Sequence, residues 1–179
     1  MSKHLTFAFA LFAWLVWPAP QVVAEEPATP QEVIAKVREA AAYLQKHGKP
    51  GLEDFQKADS PFVFKDTYVF VFDCGAGQAD IAHPAADSKV TKVTSLEGAT
   101  GKMIGPDLCR AAARPSGGWV EYMWWKPVKA EGAKQLDYAR EVSRKVTYML
   151  SVEGQPYQVG AGVHNDTATA AELDAMLKN

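Results

Sequence analysis

The stretch Tyr68-Val69-Phe70-Val71-Phe72-Asp73 decides the fold. Its first five residues are all β-branched or aromatic, a composition typical of a strand that is buried on both faces. Because side chains alternate along a strand, Tyr68, Phe70 and Phe72 should share one face. After a turn that contains two glycines, Asp80-Ile81-Ala82-His83-Pro84 predicts the returning strand of a hairpin, which the proline ends.

Three further strands are predicted downstream, from Trp119 to Lys126, from Lys145 to Glu153 and from Tyr157 to His164. Pro127 closes the first of them, and a short glycine- and proline-containing turn joins the other two as antiparallel neighbours. An amphipathic helix is predicted from Ala168 to Leu177.

Upstream of the strands, the sequence predicts a helix from Pro30 to His47. Thr29 and Glu32 have the spacing of a capping box, Pro30 suits the first helical position, and Gly48 stands where a C-terminal cap is common. Apolar residues recur through this segment at helical spacing. A long helix followed by an antiparallel sheet of five to six strands makes the predicted fold class α+β.

Residues 1–24 have the features of a cleavable secretion signal. Its uncharged run from Leu5 to Trp17 is shorter than the ~20 residues that span a bilayer, and Ala24 ends a small-residue cleavage site. An uncleaved anchor helix is the alternative. Residues 25–29 are expected to be a disordered leader, and residues 30–179 a single domain that is periplasmic or secreted, with no transmembrane segment after cleavage.

The charge and the cysteines narrow the class of protein. A formal net charge of −2 at pH 7 gives no strong field for nucleic acid or an anionic membrane. Cys74 and Cys109 are the two cysteines, and an even number in an exported chain indicates a disulfide. A redox-active pair is the alternative, although the Cys-x-x-Cys spacing does not occur.

Motifs for catalysis or metal binding do not occur in the sequence. There is no Gly-x-Ser-x-Gly elbow and no complete dinucleotide-binding loop, and His83 and His164 have no partner at metal-ligand spacing. The sequence therefore predicts no enzyme, no metal site and no cofactor. His83 beside Asp80 or Asp87 is the one acid–base pairing that an enzyme hypothesis would use.

Aromatic residues are concentrated in the strands. Tyr122 and Trp124 should share one face of their strand, and Trp119 and Trp125 the other. Core packing explains any single one of them, but buried Tyr and Trp side chains also need polar partners. With His83 and Lys145 the set would suit a pocket for a small organic anion, while Lys145 is equally compatible with a surface position.

Four segments, in this order along the chain, resemble the single Cache domain, an extracellular PAS-like sensor module of bacterial chemoreceptors and sensor kinases. They are residues 68–73, the hairpin end Ala82-His83-Pro84, residues 117–124 and residues 157–163. The resemblance covers roughly residues 30–166 and implies a long N-terminal helix packed on a twisted, PAS-like antiparallel sheet.

The resemblance also implies a site for short carboxylates or amino acids, between the sheet and the loops that cover it. The positions that match this site are Phe70, Phe72, His83, Tyr122, Trp124, Lys145 and Tyr148. The cysteines are similar to those of the stand-alone, secreted members, which would join the strand-end turn to the following helix.

Three segments depart from the pattern of that family. A Gly-Lys pair is usual where this chain has Ser88-Lys89-Val90, residues 129–144 form a longer and charged excursion, and Val163-His164 replaces a common aromatic residue. These departures bear on the mouth of the pocket and therefore on the identity of the ligand.

We therefore expect an exported binding domain without its own output domain, which captures a small organic anion and signals through a separate membrane sensor protein. The alternative is an interaction module whose pocket has become ordinary core. That alternative predicts that His83 and Lys145 face solvent or saturated salt bridges, with no enclosed cavity beside Tyr122.

Overall fold

The computed structural model describes residues 26–85 and 88–177. The predicted secretion signal, like its alternative as an anchor helix, lies outside the described residues. Within the described ranges, no helix combines the length and the apolar character that a membrane crossing requires. Residues 26–29 of the predicted leader form no helix or strand, but Ala28 is buried and its N–H donates to Asp66 over 2.8 Å.

The helix α1 (Pro30–His47) has the predicted boundaries. The Thr29 side chain accepts from the Glu32 N–H, and the Glu32 carboxylate accepts from the Thr29 N–H, so the capping box is confirmed. Gly48 ends the helix with φ of 57°, a conformation that glycine adopts without steric cost. The buried stripe that faces the sheet consists of Val33, Val37, Ala40, Ala41 and Leu44.

The described residues form one six-stranded antiparallel sheet and one short hairpin. The hairpin pairs β1 (Val63–Phe64) with β2 (Thr67–Tyr68). The large sheet has the order β5-β4-β3-β8-β7-β6. Its strands are β3 (Phe70–Asp73), β4 (Gln78–Ala82), β5 (Thr91–Lys92), β6 (Gly118–Val128), β7 (Asp137–Ser151) and β8 (Gln158–His164).

Shorter helices cover the sheet. They are α2 (Gly105–Ala112) and α3 (Ala170–Met176), with 3₁₀ helices at Lys49–Phe55 and Val93–Ser95. The predicted α+β fold, with a long first helix and a six-stranded antiparallel sheet, is confirmed.

The stretch from Tyr68 to Asp73 lies at the centre of the molecule, but it forms two strands where one was predicted. β2 ends at Tyr68, and the Val69 N–H donates to the Phe62 carbonyl before β3 begins at Phe70. The predicted alternation is confirmed: Tyr68, Phe70 and Phe72 face one hydrophobic cluster, while Val69 and Val71 face the other.

The β6–β7 hairpin is longer than the sequence predicted. β6 continues through Pro127 to Val128, and β7 begins at Asp137, eight residues before the predicted start at Lys145. Pro127 is tolerated because β6 is an edge strand, where a missing N–H leaves no partner unsatisfied, and the register shifts between Trp125 and Pro127. Much of the charged excursion at 129–144 is therefore strand.

Each face of the sheet has its own hydrophobic cluster. The cluster under α1 includes Val146 and Tyr148, and the cluster under α2 includes Met149 and Leu108. The predicted disulfide between Cys74 and Cys109 is confirmed, with 5.8 Å between the Cα atoms. It ties the end of β3 to α2, so the covering helix on the second face is covalently fixed to the sheet.

Candidate ligand-binding site

The candidate site lies on the sheet face under α2, where six of the seven predicted site residues come together. These six are Phe70, Phe72, His83, Tyr122, Trp124 and Lys145. The remaining wall consists of Tyr68, Asp80, Leu96, Ile104 and Leu108. The cavity beside them has a volume of about 10 Å³, about enough for one water molecule.

Tyr148, the seventh predicted residue, lies on the opposite face of the sheet and does not line this cavity. Its ring packs in the cluster under α1, 5.4 Å from the Trp119 ring, and its hydroxyl donates to the Ser116 carbonyl. The reason is the two-residue period of a strand, which sends Lys145 and Tyr148, three positions apart, to opposite faces.

Lys145 is buried at the centre of this site with 1% of its surface exposed, so the alternative of a surface position is wrong. Its Nζ donates to the Tyr68 hydroxyl over 3.4 Å and lies 4.4 Å from the centre of the Tyr68 ring. No carboxylate in the described part of the chain forms an ion pair with it. Burial lowers the pKa of Lys145 to about 7, although the charges of Asp80 and Asp66 act in the opposite direction.

A glycine in the neighbouring strand makes room for this lysine. Gly162 lies in β8, and a Cβ atom there would lie 2.9 Å from the Lys145 Cε atom and 2.5 Å from the Thr147 hydroxyl oxygen. Gly160 does the same for Phe70, whose ring carbon would be 2.9 Å from an added Cβ. The two glycines therefore let the site residues lie flat across β8.

Hydroxyl and imidazole groups form a hydrogen-bonded chain that ends at Lys145. The His83 Nδ1 atom accepts from the Ala85 N–H, so the ring proton is placed on Nε2, which lies 3.2 Å from the Tyr138 hydroxyl. The Tyr138 hydroxyl lies 2.9 Å from that of Tyr68, which in turn accepts from Lys145. Burial, with the charge of Lys145, lowers the pKa of His83 to about 3, so the ring is neutral.

Asp80 contributes the acidic group of the site. It has φ of 53°, a left-handed conformation that is uncommon for a residue other than glycine and that aims its side chain away from the regular strand direction. Burial raises the pKa of Asp80 to about 7, against the opposing effects of Lys145 and of a hydrogen bond from Ser88.

A larger opening of about 370 Å³ adjoins the cavity and shares Asp80 and Trp124 with it. Its other lining residues are Ser88, Lys89, Thr91, Trp125 and Tyr138. The side chains of Asp80 and Trp124 thus lie between the inner cavity and a space of ligand size.

Sequence reasoning missed three residues that the structure places in the site. Tyr68 had a signal, because it shares a face with Phe70 and Phe72. Asp80 is named in the sequence analysis only as an acid–base partner of His83, because the left-handed backbone conformation that it adopts is not visible in the sequence. Tyr138 belongs to the part of β7 that was interpreted as a loop.

The site does not assemble the acid–base pair of the enzyme hypothesis. His83 is bonded to Ala85 and Tyr138, and Asp80 to Ser88, so the two side chains are engaged elsewhere. Asp87, the other proposed partner, lies outside the described residues. Among residues 26–85 and 88–177, no group of three His, Cys, Asp or Glu side chains is placed to hold a metal ion.

Comparison of the sequence with known proteins finds no matching family model and no matching curated protein. Comparison of the fold with solved structures does find matches. A methyl-accepting chemotaxis protein from Vibrio parahaemolyticus superimposes with a TM-score of 0.56 at 15% sequence identity, over 76% of this chain and 88% of that chain.

Two further structures have the same character. A periplasmic sensor domain of a chemotaxis protein matches with a TM-score of 0.50 at 20% identity, over 74% of this chain and 94% of that one. A Cache chemosensory domain, described as recognising carboxylic acid, matches more loosely. Its TM-score is 0.49 at 15% sequence identity, over 74% of this chain and 86% of that chain. The described residues therefore share the fold of these chemotaxis-protein structures, in agreement with the fold that the four sequence segments implied.

Proposed function

We propose that this domain is an exported sensor-type domain that binds a small organic anion, either a short organic acid or an amino acid, beside Lys145. The observation that carries the proposal is a buried ammonium group without an ion-pair partner in the described residues. Removing a cation from water is costly unless an opposite charge compensates for it. The carboxylate of a ligand would supply that charge.

The neighbouring polar groups are suited to the same ligand. The indole Nε1–H of Trp124 is buried with no hydrogen-bond acceptor in the described residues. The Tyr68 hydroxyl can accept from both Lys145 and the Tyr138 hydroxyl, and in that arrangement its own proton is directed to another acceptor. Two donors beside an ammonium group match the two oxygens of a carboxylate, and hydrogen bonds to a charged group are the stronger kind.

Binding in the inner cavity requires the covering side chains to move, because the space there holds about one water molecule. Leu96 and Ile104 bound this space from the segment between the second 3₁₀ helix and α2. α2 itself is tied to β3 by the disulfide. We therefore expect ligand entry to displace residues 96–104 while α2 stays in place.

The two solved structures with the same fold are parts of chemotaxis proteins, and this supports a sensory role. In our proposal the domain acts in the periplasm or outside the cell. It interacts with a membrane sensor protein differently when its site is ligand-bound and when it is empty. Its function is binding, and no catalytic step is assigned to it. Cross-linking in cells, followed by identification of the attached membrane protein with and without ligand, tests this part.

A second candidate function is an interaction module without a ligand. The small volume of the inner cavity favours it, whereas the burial of Lys145 and His83 does not, because that hypothesis places both groups in solvent or in salt bridges. The two candidates differ in whether any small molecule stabilises the isolated domain.

The experiment is a thermal-shift screen of the domain with short carboxylates and amino acids, each paired with its uncharged amide. A ligand that binds the folded state at a hundred times its Kd stabilises it by about 2.7 kcal/mol. We expect some acids to raise the Tm and their amides to leave it unchanged. No stabilisation by any acid or amide would overturn the proposal in favour of the interaction module, and equal stabilisation by acid and amide would overturn the claim that the site selects an anion.

A further inference from the structure

The opening beside the inner cavity has three aromatic walls. The ring centres of Trp124 and Trp125 lie 5.3 Å apart with planes at 67°, and those of Trp124 and Tyr138 lie 6.2 Å apart at 86°. Trp125 and Tyr138 are separated by 6.5 Å at 50°. The three rings therefore meet as the walls of a corner and do not stack.

These rings differ from the core aromatic residues in their exposure. Trp124, Trp125 and Tyr138 are each half-buried and border the opening of about 370 Å³, whereas Phe70 and Phe72 are fully buried. Trp124 and Tyr138 pack against the cluster under α2 on one side, Trp125 belongs to neither cluster, and all three leave part of their ring surface open to one space. A cation in such a corner can lie within about 6 Å of all three ring centres, the range of a cation–π interaction.

The charges beside the rings have a definite order. Asp80 borders both the opening and the inner cavity, and Lys145 borders the inner cavity only. The negative group therefore lies next to the aromatic corner and the positive group lies deeper. Lys89 also borders the opening, but it is exposed, so water screens its charge.

We propose that the opening binds a quaternary ammonium group, and that the ligand is a betaine-type zwitterion with its carboxylate at Lys145. This inference rests on the proposed function and narrows the ligand class within it. A quaternary ammonium group has no N–H, so it needs no hydrogen-bond acceptor and can lie against aromatic faces. The carboxylate of Asp80 favours it over a neutral apolar group of the same shape.

The test uses isothermal titration calorimetry with four probes: acetate, glycine, its trimethylated form glycine betaine, and tert-butylacetate. The last has the shape of glycine betaine without its positive charge. We expect glycine betaine to bind at least about tenfold more tightly than glycine and than tert-butylacetate, the size of a desolvated cation–π contribution. Equal binding of glycine betaine and tert-butylacetate would overturn the inference.

Variants of Trp125 separate the opening from the inner cavity, because this residue borders the opening but not the cavity. Trp125→Leu should remove the preference for glycine betaine and leave the affinity for acetate unchanged, and Trp125→Phe should restore part of the preference. Retention of the full preference in a folded Trp125→Leu protein would contradict the inference.

The outcomes also distinguish this inference from the proposed function. If acetate and tert-butylacetate bind but glycine betaine gains nothing, the quaternary ammonium site is wrong while anion binding at Lys145 stands. If none of the four probes binds and no acid in the thermal-shift screen does, both fail. Circular dichroism of each variant shows whether it is folded.

Discussion

Lys145 is buried in the protein interior, where a charged lysine is destabilising unless an anion is paired with it. Its ammonium group lies against the Tyr68 ring at 4.4 Å and 5.8 Å from the centre of the Phe70 ring. These aromatic faces and one long hydrogen bond replace little of the water that the charged group loses. In our account this cost remains in the ligand-free protein because the same charge is used to bind an anion.

Replacing the charge should therefore stabilise the ligand-free domain. The folded-state pKa of Lys145, about 7, lies below its ordinary value of 10.5, so the folded state binds fewer protons between these pH values. The destabilisation is complete below pH 7 and fades as pH rises towards 10.5. We expect Lys145→Met to raise the free energy of unfolding by about 1–3 kcal/mol at pH 6.

Urea denaturation at pH 6 and pH 9.5 measures this effect. The gain from Lys145→Met should be smaller at the higher pH, because there the lysine of the folded wild type has lost its proton and no longer buries a charge. A loss of stability in the variant at pH 6 would show that the ammonium group stabilises the fold, contrary to this account.

His83 should make the domain sensitive to acid. Its folded-state pKa of about 3 lies below the ordinary 6.5, so the unfolded state takes up the extra proton and stability falls as pH drops from 6.5 towards 3. Between pH 7.5 and pH 5 this amounts to about 2 kcal/mol. His83→Asn keeps an acceptor for the Ala85 N–H without titrating, so its unfolding free energy should change less over this range.

His164 should also contribute to the loss of stability at acidic pH. Burial also lowers its pKa to about 3, so the His83→Asn protein should keep part of the acid sensitivity. An unchanged pH dependence in His83→Asn would mean that His83 is not held in its neutral form.

At the scale of the elements, β8 makes room for the site because it has glycines at positions 160 and 162. Gly162 pairs with Thr147, and an added Cβ would lie 2.8 Å from the Val146 carbonyl oxygen, a backbone atom that cannot move aside. The Lys145 side chain can pack against β8 because the residue at position 162 has no side chain.

Gly162→Ala should therefore displace the Lys145 side chain and lower the stability by about 1–3 kcal/mol, the usual cost of overpacking. Thermal unfolding and anion binding are measured together. Gly75→Ala is the matched control, since its Cβ would meet only the Asp73 carboxylate at 3.5 Å. If Gly162→Ala and Gly75→Ala had the same unfolding temperature and the same affinity for the anion, the close packing of Lys145 over β8 would be contradicted.

The disulfide between Cys74 and Cys109 joins the end of β3 to α2. Closing the loop between Cys74 and Cys109 removes unfolded-state entropy equivalent to about 3–4 kcal/mol. We expect the double change Cys74→Ala with Cys109→Ala to lower the free energy of unfolding in guanidinium by that amount. A reductant should destabilise the wild type and leave the double variant unaffected; a stable, reductant-insensitive wild type would contradict the prediction.

Features that depend on local sequence were predictable, and features that depend on the position of an element in the sheet were not. The capping box at Thr29 and the alternation from Tyr68 to Phe72 are local, so both were predicted correctly. The continuation of β6 through Pro127 is not predictable, because the sequence does not reveal that β6 is an edge strand. The family resemblance implies that Lys145 and Tyr148 share a site, whereas the two-residue period of a strand places them on opposite faces.

At the scale of the whole molecule, the two faces of the sheet have different compositions. The face under α1 is almost wholly apolar, with Val33, Val37 and Leu44 packed on it. The face under α2 holds the buried or half-buried polar groups Asp80, His83, Tyr122 and Lys145. The second face combines a hydrophobic cluster with buried polar groups, so a site there binds a ligand at some cost in stability.

The direct test of this account is isothermal titration calorimetry of the best acid from the thermal-shift screen, with the wild type and with Lys145→Met. We predict that the variant, although more stable, binds the acid at least about a hundredfold more weakly, since removing one partner of a buried charge pair costs about 2–5 kcal/mol or more. Equal affinity of the two proteins would contradict the claim that Lys145 binds the anion.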